Sequence, residues 1–310
     1  MTAERFATLD IGTNSVLLLI AEKSAHGVVP VLERATITRL GEGVDRTREL
    51  AEGAKERTLA CIRAYAEDIA RLGVARAAAV GTSALRDARG GQEFARDIER
   101  VLGIAPRVID GRREAELTFR GALSGLDVSG EVTVFDVGGG STEFVTGTRD
   151  GLGSTIRESV SLDIGSVRLH ERHIASDPPN LTELDAIARD IDDALLRAPK
   201  PVAGATLVGV AGTVTTLASI ALELGDYDPA LVHGHQLARE VVTELWTKLA
   251  SMPLEERRTL RGLDPRRADV IVAGSLIVER VMSFTHTTEL VVSDRGVRFG
   301  LAEELAAESE

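Results

Sequence analysis

One segment of this sequence occurs twice, and the repeat restricts the folds that the chain can adopt. Residues 6–15 (FATLDIGTNS) resemble residues 132–141 (VTVFDVGGGS). The matching Asp, Gly and Ser residues share one constant offset of 126 positions, as from Asp10 to Asp136. Each copy has the pattern of an apolar strand, an aspartate, a glycine turn, a serine and a second strand. The repeat predicts two similar domains, each with such a hairpin.

The segments around the two copies alternate between strands and helices. Apolar runs predict strands at residues 6–10, 16–22, 28–40, 75–80, 132–136, 142–147, 207–210 and 290–293. Apolar residues at intervals of three and four predict helices around residues 59–72, 94–102, 181–196, 269–282 and 301–307. Residues 81–86 are predicted to be a loop. This alternation is typical of α/β architecture, and 310 residues suffice for two domains.

Composition excludes several classes of protein. A formal net charge of −12 argues against a general nucleic-acid binder, although a phosphate-rich ligand fits a confined site with local positive charge. No apolar run reaches the roughly 20 residues of a membrane span, and no signal peptide is readable at the N-terminus. The lone Cys61 rules out an internal disulfide and fits a reducing compartment, so we expect a cytoplasmic protein without a membrane partner.

The two glycine turns are candidate phosphate-binding loops. A turn at Gly12 or at Gly138, Gly139 and Gly140 exposes backbone N–H groups, and several such amides in one concavity bind an anion. The hydroxyls of four residues add further hydrogen-bond donors: Thr13, Ser15, Ser141 and Thr142. A flexible turn would need neither the aspartate before it nor the Ser-Thr-Glu that follows Gly140. These features therefore favour phosphate binding.

Three acidic residues near the turns are candidate metal ligands. Asp10 and Asp136 each end a strand that the pattern predicts to be buried, and Glu143 follows seven residues after Asp136. Burying a carboxylate is costly unless a cation or amide donors compensate for it. Mg²⁺ prefers oxygen ligands and is commonly held by one or two carboxylates together with substrate phosphates. Mg²⁺, or another divalent cation, is therefore the expected cofactor.

Glu114, Arg86 and the histidines leave alternatives open when they are taken alone. Glu114 lies in the first turn of a predicted helix, where an acid commonly interacts only with the helix dipole. Arg86 can bind phosphate in a bidentate manner, but an arginine at such a position is more commonly an ordinary surface residue. His170 and His173 lie on one helix face without a third ligand, so zinc chemistry is not expected.

Several motifs resemble those of the exopolyphosphatase / guanosine pentaphosphate phosphohydrolase family, in the same order and at the same spacing. They lie at residues 10–15 (DIGTNS), 82–86 (TSALR), 114–117 (EAEL), 136–143 (DVGGGSTE), 161–168 (SLDIGSVR), 210–213 (VAGT), 233–234 (HG) and 293–300 (SDRGVRFG). That family resembles the actin-like ATPases, also called the sugar kinase/Hsp70 superfamily. The resemblance implies two ribonuclease-H-like domains with the active site in the cleft between them.

The resemblance also implies roles for individual residues. Glu114 matches the family's general base, which activates the attacking water, and Asp136 and Glu143 match acids that position metal and water. Residues 138–142 match the main phosphate loop, and residues 10–15, which include Asn14, match the first loop. Arg86 matches an arginine that contacts substrate phosphate. Ala211 departs from the family pattern, because a glycine is common at this position.

The implied activity is release of terminal orthophosphate from inorganic polyphosphate, with guanosine pentaphosphate (pppGpp) as the alternative substrate. An actin-like kinase for a small acceptor and a sensor without catalysis are further alternatives. We expect an N-terminal domain at residues 1–122, a C-terminal domain at 123–298, and a terminal helix at 299–310 that packs back on the first domain. The resemblance also implies a homodimer.

Overall fold

The chain forms two compact units in a computed structural model that describes residues 4–24, 27–151 and 153–308. The first unit comprises the chain up to Ser124 together with the segment that starts at Val297. The second unit spans Gly125–Gly296. Within the described ranges, no helix has the length and apolar character needed to cross a membrane.

The sheet of the first unit has five strands in the order β3-β2-β1-β4-β5. Strands β1 and β2 and strands β2 and β3 pair antiparallel, whereas β4 pairs parallel with β1 and with β5. The two central strands carry buried apolar side chains on both faces, such as Leu9 and Leu18, and close packing of these side chains favours this register. The strands are β1 (Arg5–Ile11), β2 (Ser15–Ser24), β3 (Gly27–Ile37), β4 (Arg76–Gly81) and β5 (Arg107–Val108).

The helices of the first unit pack their apolar faces on this sheet. In the longest of them, Cys61, Ile62 and Tyr65 are buried at the spacing of one helix face. Asp110 is the N-cap of the fifth helix, since its side chain accepts a 2.8 Å hydrogen bond from the backbone N–H of Arg113. The helices are α1 (Val44–Thr47), α2 (Glu52–Arg71), α3 (Ser83–Asp87), α4 (Gly91–Leu102) and α5 (Gly111–Leu123).

The second unit repeats the topology of the first. Its sheet has the order β10-β11-β9-β6-β7-β8. Strands β6, β7 and β8 form an antiparallel meander, and β9 pairs parallel with β6 and with β11. The antiparallel strand β10 is added at the edge. The strands are β6 (Gly130–Val137), β7 (Thr142–Asp150), β8 (Gly153–Leu162), β9 (Thr206–Val210), β10 (Gln236–Ala238) and β11 (Glu289–Val292).

This shared strand order confirms the prediction of α/β architecture with two ribonuclease-H-like domains. The helices of the second unit are α6 (Ser166–His173), α7 (Leu181–Leu195), α8 (Ala211–Ala221), α9 (Pro229–Val232), α10 (Arg239–Ser251), α11 (Leu254–Arg257) and α12 (Ile271–Phe284), with a 3₁₀ turn at Pro265–Arg267. Helix α12 is apolar on nearly all sides, and it is buried among the other helices of this unit.

The last helix, α13 (Val297–Ala307), belongs to the first unit. Its Phe299 and Leu301 are buried in a cluster with Phe6 and Leu117. A Cβ atom on Gly300 would lie 2.0 Å from the carbonyl oxygen of Leu117, so only glycine permits this close approach of α13 to α5. The hydroxyl of Thr8 also donates a 2.8 Å hydrogen bond to the carbonyl of Arg298.

Two details of the predicted elements were wrong. Residues 83–86 of the loop predicted at residues 81–86 belong to helix α3 (Ser83–Asp87), because one turn fits after β4 without any periodic apolar pattern. The third strand ends at Ile37 rather than at residue 40. The backbone N–H groups of Thr38 and Arg39 leave the sheet and donate to the carbonyl of Asn14, both at 3.0 Å.

Candidate active site

The glycine loop of the second unit contains three consecutive amides that the described residues leave without an acceptor. Strand β6 ends at Val137, and the N–H of Gly138 closes the turn by donating a 3.0 Å hydrogen bond to the carbonyl of Ser141. The N–H groups of Gly139, Gly140 and Ser141 have no hydrogen-bond acceptor among the described residues. Backbone amides in such a turn form a nest for an anion.

The carbonyl groups of this loop are occupied from behind. The backbone N–H of Ser166 donates to the carbonyl of Gly138 at 3.0 Å, and that of Val167 donates to the carbonyl of Gly139 at 2.9 Å. Both donors belong to the first turn of α6, whose amides have no partner within the helix. A Cβ atom on Gly165 would lie 2.5 Å from the carbonyl of Gly139, so the helix can approach this closely only with glycine there.

Two acidic residues lie side by side next to the loop. Asp136 on β6 is directly opposite Glu143 on β7, so both side chains emerge on the same face of the sheet. Asp136 is 9% exposed and Glu143 is 1% exposed. The hydroxyl of Ser161 donates a 2.7 Å hydrogen bond to Oε1 of Glu143. Two neighbouring buried carboxylates repel each other unless a cation lies near them, so this donor set fits a divalent metal.

The third expected metal ligand, Asp10, lies in the first unit. Its cross-strand neighbour is Leu17, which occupies the position of Glu143 in the repeat. The acid pair is therefore a feature of the second unit alone. Among the residues that the structure describes, no group of three or more His, Cys, Asp or Glu side chains is arranged to hold a metal. A metal at Asp136 and Glu143 would need ligands from elsewhere, such as substrate oxygens.

The loop of the first unit has the same hydrogen-bond pattern. The N–H of Gly12 donates to the carbonyl of Ser15 at 3.0 Å, as in the other copy. Thr13 and Asn14 are 8% and 7% exposed. The hydroxyl of Thr13 and both polar atoms of the Asn14 side chain are buried without a hydrogen-bond partner in the described part of the chain. Buried polar groups are nearly always paired in native proteins, so these groups are candidate partners for a polar ligand.

Glu114 is buried and forms an ion pair with Arg86. It is 7% exposed, and its Oε2 lies 2.9 Å from Nη1 of Arg86. The same Nη1 donates a 3.2 Å hydrogen bond to the carbonyl of Ile109, which fixes the guanidinium beside α5. The ion pair and this hydrogen bond hold the Glu114 carboxylate in one place relative to the guanidinium. The structure therefore gives Glu114 more than an interaction with the helix dipole.

One expected phosphate donor is used inside the second unit. The hydroxyl of Thr142 is fully buried and donates a 2.7 Å hydrogen bond to the carbonyl of Ile164. This hydrogen bond ties the end of the phosphate loop to the segment before α6. Ser141 is 2% exposed, and its hydroxyl remains a candidate phosphate donor.

Two further features of the second unit involve residues that the sequence presented only as parts of family motifs. Gly296 lies beside Asp136, because a Cβ atom on it would be 3.7 Å from Oδ2 of that carboxylate. Nδ1 of His233 lies 3.0 Å from Oδ1 of Asp294. Gly296 is 160 positions from Asp136, and Asp294 is 61 positions from His233, so no local pattern indicates either proximity. His173 instead pairs with Asp190 at 2.8 Å.

Comparison with known proteins identifies relatives over the whole chain. The model of the Ppx/GppA phosphatase family matches residues 19–308. Exopolyphosphatase 2 from Mycobacterium tuberculosis is 38% identical, and the alignment covers 99% of this chain and 100% of the relative.

Two solved structures show the same fold. The Ppx/GppA family member from Aquifex aeolicus is 36% identical with a TM-score of 0.83, and the match covers 99% of each chain. An exopolyphosphatase from Cytophaga hutchinsonii is 26% identical with a TM-score of 0.88, and the match covers 98% of each chain. The likeness therefore includes both units.

Proposed function

Because the chain belongs to the Ppx/GppA phosphatase family, a family of phosphoanhydride hydrolases, we propose that it is an exopolyphosphatase. Such an enzyme releases orthophosphate from the end of inorganic polyphosphate. The relatives at 38% and 26% identity are both exopolyphosphatases, which favours polyphosphate over pppGpp as the substrate.

The observation that carries this proposal is the set of three consecutive amides at Gly139, Gly140 and Ser141 that have no acceptor among the described residues. Three N–H groups without an acceptor bind the oxygens of a phosphoryl group without positive side chains. An enzyme of net charge −12 can thus hold a highly anionic substrate at one confined place. In the first unit, the amides of Thr13 and Asn14 and the hydroxyls of Thr13 and Ser15 are the corresponding candidate donors.

Glu114 is the base in the proposed mechanism. It accepts a proton from the water that attacks the terminal phosphorus, while Arg86 orients the carboxylate through their 2.9 Å ion pair and faces substrate phosphate. The P–O bond to the rest of the chain breaks, and the shortened polyphosphate leaves with the bridging oxygen. Phosphoryl transfer depends mainly on positioning and on charge stabilisation, which the loop amides provide.

Asp136 and Glu143 are the residues that would hold Mg²⁺, with Asp10 as a further acid from the first unit. When bound, the metal neutralises charge on the phosphate oxygens. Ser161 keeps the Glu143 carboxylate in place by its 2.7 Å hydrogen bond. Because two buried acids without a cation are costly, we expect metal binding to raise the melting temperature as well as the activity.

A direct comparison of substrates tests the proposed function. Purified protein with Mg²⁺ is given polyphosphate or pppGpp at equal concentrations of chain ends, and released orthophosphate is measured. We expect a kcat/KM for polyphosphate at least about tenfold above that for pppGpp. A preference for pppGpp would replace the proposed substrate. Phosphate transfer from ATP to a small acceptor would indicate the kinase, and binding without release would indicate the sensor.

Replacing Gly41 with alanine should disturb the loop of the first unit. A Cβ atom at position 41 would lie 2.2 Å from Cγ2 of Thr13, and the N–H of Gly41 donates to the carbonyl of Thr13 at 2.8 Å. Overpacking of this kind typically costs about 1–3 kcal/mol. We expect kcat/KM for polyphosphate to fall about tenfold, measured by orthophosphate release.

Gly53→Ala is the matched control for this change. Gly53 lies in α2, where an added Cβ would meet nothing closer than Nη1 of Arg57 at 3.5 Å. Alanine is favoured over glycine inside a helix, so stability should rise slightly and activity should stay that of the unchanged protein. Equal activity of both variants would show that the Thr13 loop does not contribute to catalysis.

A cytoplasmic location fits the single cysteine. Burial raises the pKa of the Cys61 thiol, which keeps it protonated and unreactive. We propose that the enzyme works in a reducing compartment. The homodimer implied by the resemblance stays a prediction.

A further inference from the structure

The third carbonyl of the second phosphate loop is held by a side chain. The carbonyls of Gly138 and Gly139 accept backbone N–H groups of α6, and the N–H of Arg168 is a second donor to Gly139 at 3.0 Å. The carbonyl of Gly140 instead accepts a 2.6 Å hydrogen bond from Nε of Arg168. Arg168 is 7% exposed, so this hydrogen bond is shielded from water.

The first unit performs the same task with backbone atoms alone. At the repeat offset of 126, Asn14 is the residue equivalent to Gly140. Its carbonyl accepts hydrogen bonds from the backbone N–H groups of Thr38 and Arg39. The N–H of Gly41 donates to Thr13, just as that of Val167 donates to Gly139 at the same offset. Each loop is thus held by the segment that follows the third strand of its meander. Only the second unit depends on a side chain for its last carbonyl.

Fixing a carbonyl also fixes an amide. The peptide group is planar and trans, so the C=O of one residue and the N–H of the next point in opposite directions. The hydrogen bond from Arg168 to Gly140 therefore sets the direction of the N–H of Ser141. That N–H is one of the three amides without an acceptor among the described residues.

We propose that Arg168 is a positioning residue that turns the Ser141 amide towards the substrate phosphate. Its function lies in the Nε donor and not in a charge presented to phosphate. This inference rests on the proposed function, because it concerns the same phosphate loop. This role differs from that of Arg86, whose guanidinium is proposed to contact both Glu114 and the substrate phosphate.

Two substitutions distinguish donor from charge. In Arg168→Gln, the side-chain amide nitrogen occupies the position of Nε, so the donor to Gly140 is kept and the positive charge is lost. In Arg168→Lys, a methylene occupies that position, so the charge is kept and the donor is lost. A phosphate ligand and a positioning residue therefore predict opposite orders of activity.

We expect Arg168→Gln to keep kcat/KM for polyphosphate within about threefold of the unchanged protein and Arg168→Lys to lose about tenfold or more. The inhibition constant of orthophosphate should rise about tenfold in Arg168→Lys only, because that amide also binds the product. KM and the inhibition constant do not depend on the fraction of folded protein, so a loss of stability alone leaves them unchanged. Melting temperatures measured alongside report folding directly.

Each outcome decides the proposal. Arg168→Lys as active as Arg168→Gln, or more active, would overturn it in favour of a charge effect. If both variants fold and lose activity to the same large extent, the function belongs to the terminal nitrogens Nη1 and Nη2 of Arg168. That result would also overturn the proposal. If Arg168→Lys does not fold, a folded Arg168→Gln with a loss of about tenfold is sufficient to overturn it. Failure of the unchanged protein to hydrolyse polyphosphate would instead contradict the proposed function.

Discussion

Replacing Glu114 with glutamine is expected to reduce the rate of orthophosphate release by about 10³-fold. Glutamine fills the same buried volume and can still accept a hydrogen bond from Arg86, but it cannot take a proton from water. Binding of the phosphate chain should remain measurable, because the loop amides are unchanged. The measurement is single-turnover phosphate release, combined with titration calorimetry of polyphosphate binding.

Glu116→Gln is the matched control for this variant. Glu116 lies on the same helix and pairs with Arg112 and Arg113, and its side chain is 30% exposed. Exposed pairs of this kind contribute at most about 1 kcal/mol, so its loss should leave the turnover rate unchanged. Wild-type turnover in Glu114→Gln would remove Glu114 from the mechanism, and inactivity of both variants would indicate a helix disrupted as a whole.

Replacing Glu143 with glutamine should reduce kcat/KM by about 10²-fold at a fixed, limiting magnesium concentration. The amide oxygen of glutamine can still accept the hydrogen bond from Ser161, so the local packing is kept. One negative charge of the Asp136 pair is lost, and with it much of the attraction for a cation. A magnesium titration of activity should show a higher requirement in the variant.

Glu158→Gln is the control for that change. Glu158 lies on β8, is exposed to solvent, and is opposite Thr146 rather than an acid. Its replacement should leave the magnesium titration unchanged. An unaltered magnesium requirement in Glu143→Gln would contradict a metal at the acid pair, even if the activity were lower.

The duplicated topology was predictable from the sequence because particular residue types are needed to form it. Buried strands need apolar residues, and a glycine turn needs glycine, so the Asp10 and Asp136 hairpins repeat visibly in the sequence. The segments that hold the two loops are also equivalent in the structure, since the N–H groups of Gly41 and Val167 donate to matching loop carbonyls. Their hydrogen bonds come from backbone N–H groups, which almost every residue supplies, so the sequence carries no trace of this second repeat.

The surroundings of Glu114 could not be derived from its neighbours in sequence. Its ion pair with Arg86 spans 28 positions and depends on how α5 follows β5. The resemblance to a family indicated the role of Glu114, whereas the residue pattern alone left it open. Its burial and its partner became visible only in the fold.

Ala211 shows a departure from the family pattern that the structure explains in part. Its φ is 72°, in the left-handed region that disfavours every residue with a Cβ atom. A glycine there would carry no such cost, which agrees with the glycine that the resemblance implies at this position. The strain lies at the start of α8, where Gly212 is packed directly against the guanidinium of Arg267.

Release of orthophosphate from chain ends is the central claim, and phosphorus NMR of long polyphosphate during hydrolysis tests it most directly. We predict that the orthophosphate signal grows from the first spectrum while the number of chain ends stays constant. Growth of the chain-end signal before orthophosphate would show cleavage inside the chain, and an unchanged spectrum with active turnover of pppGpp would show a different substrate. Either result would contradict the proposed exopolyphosphatase.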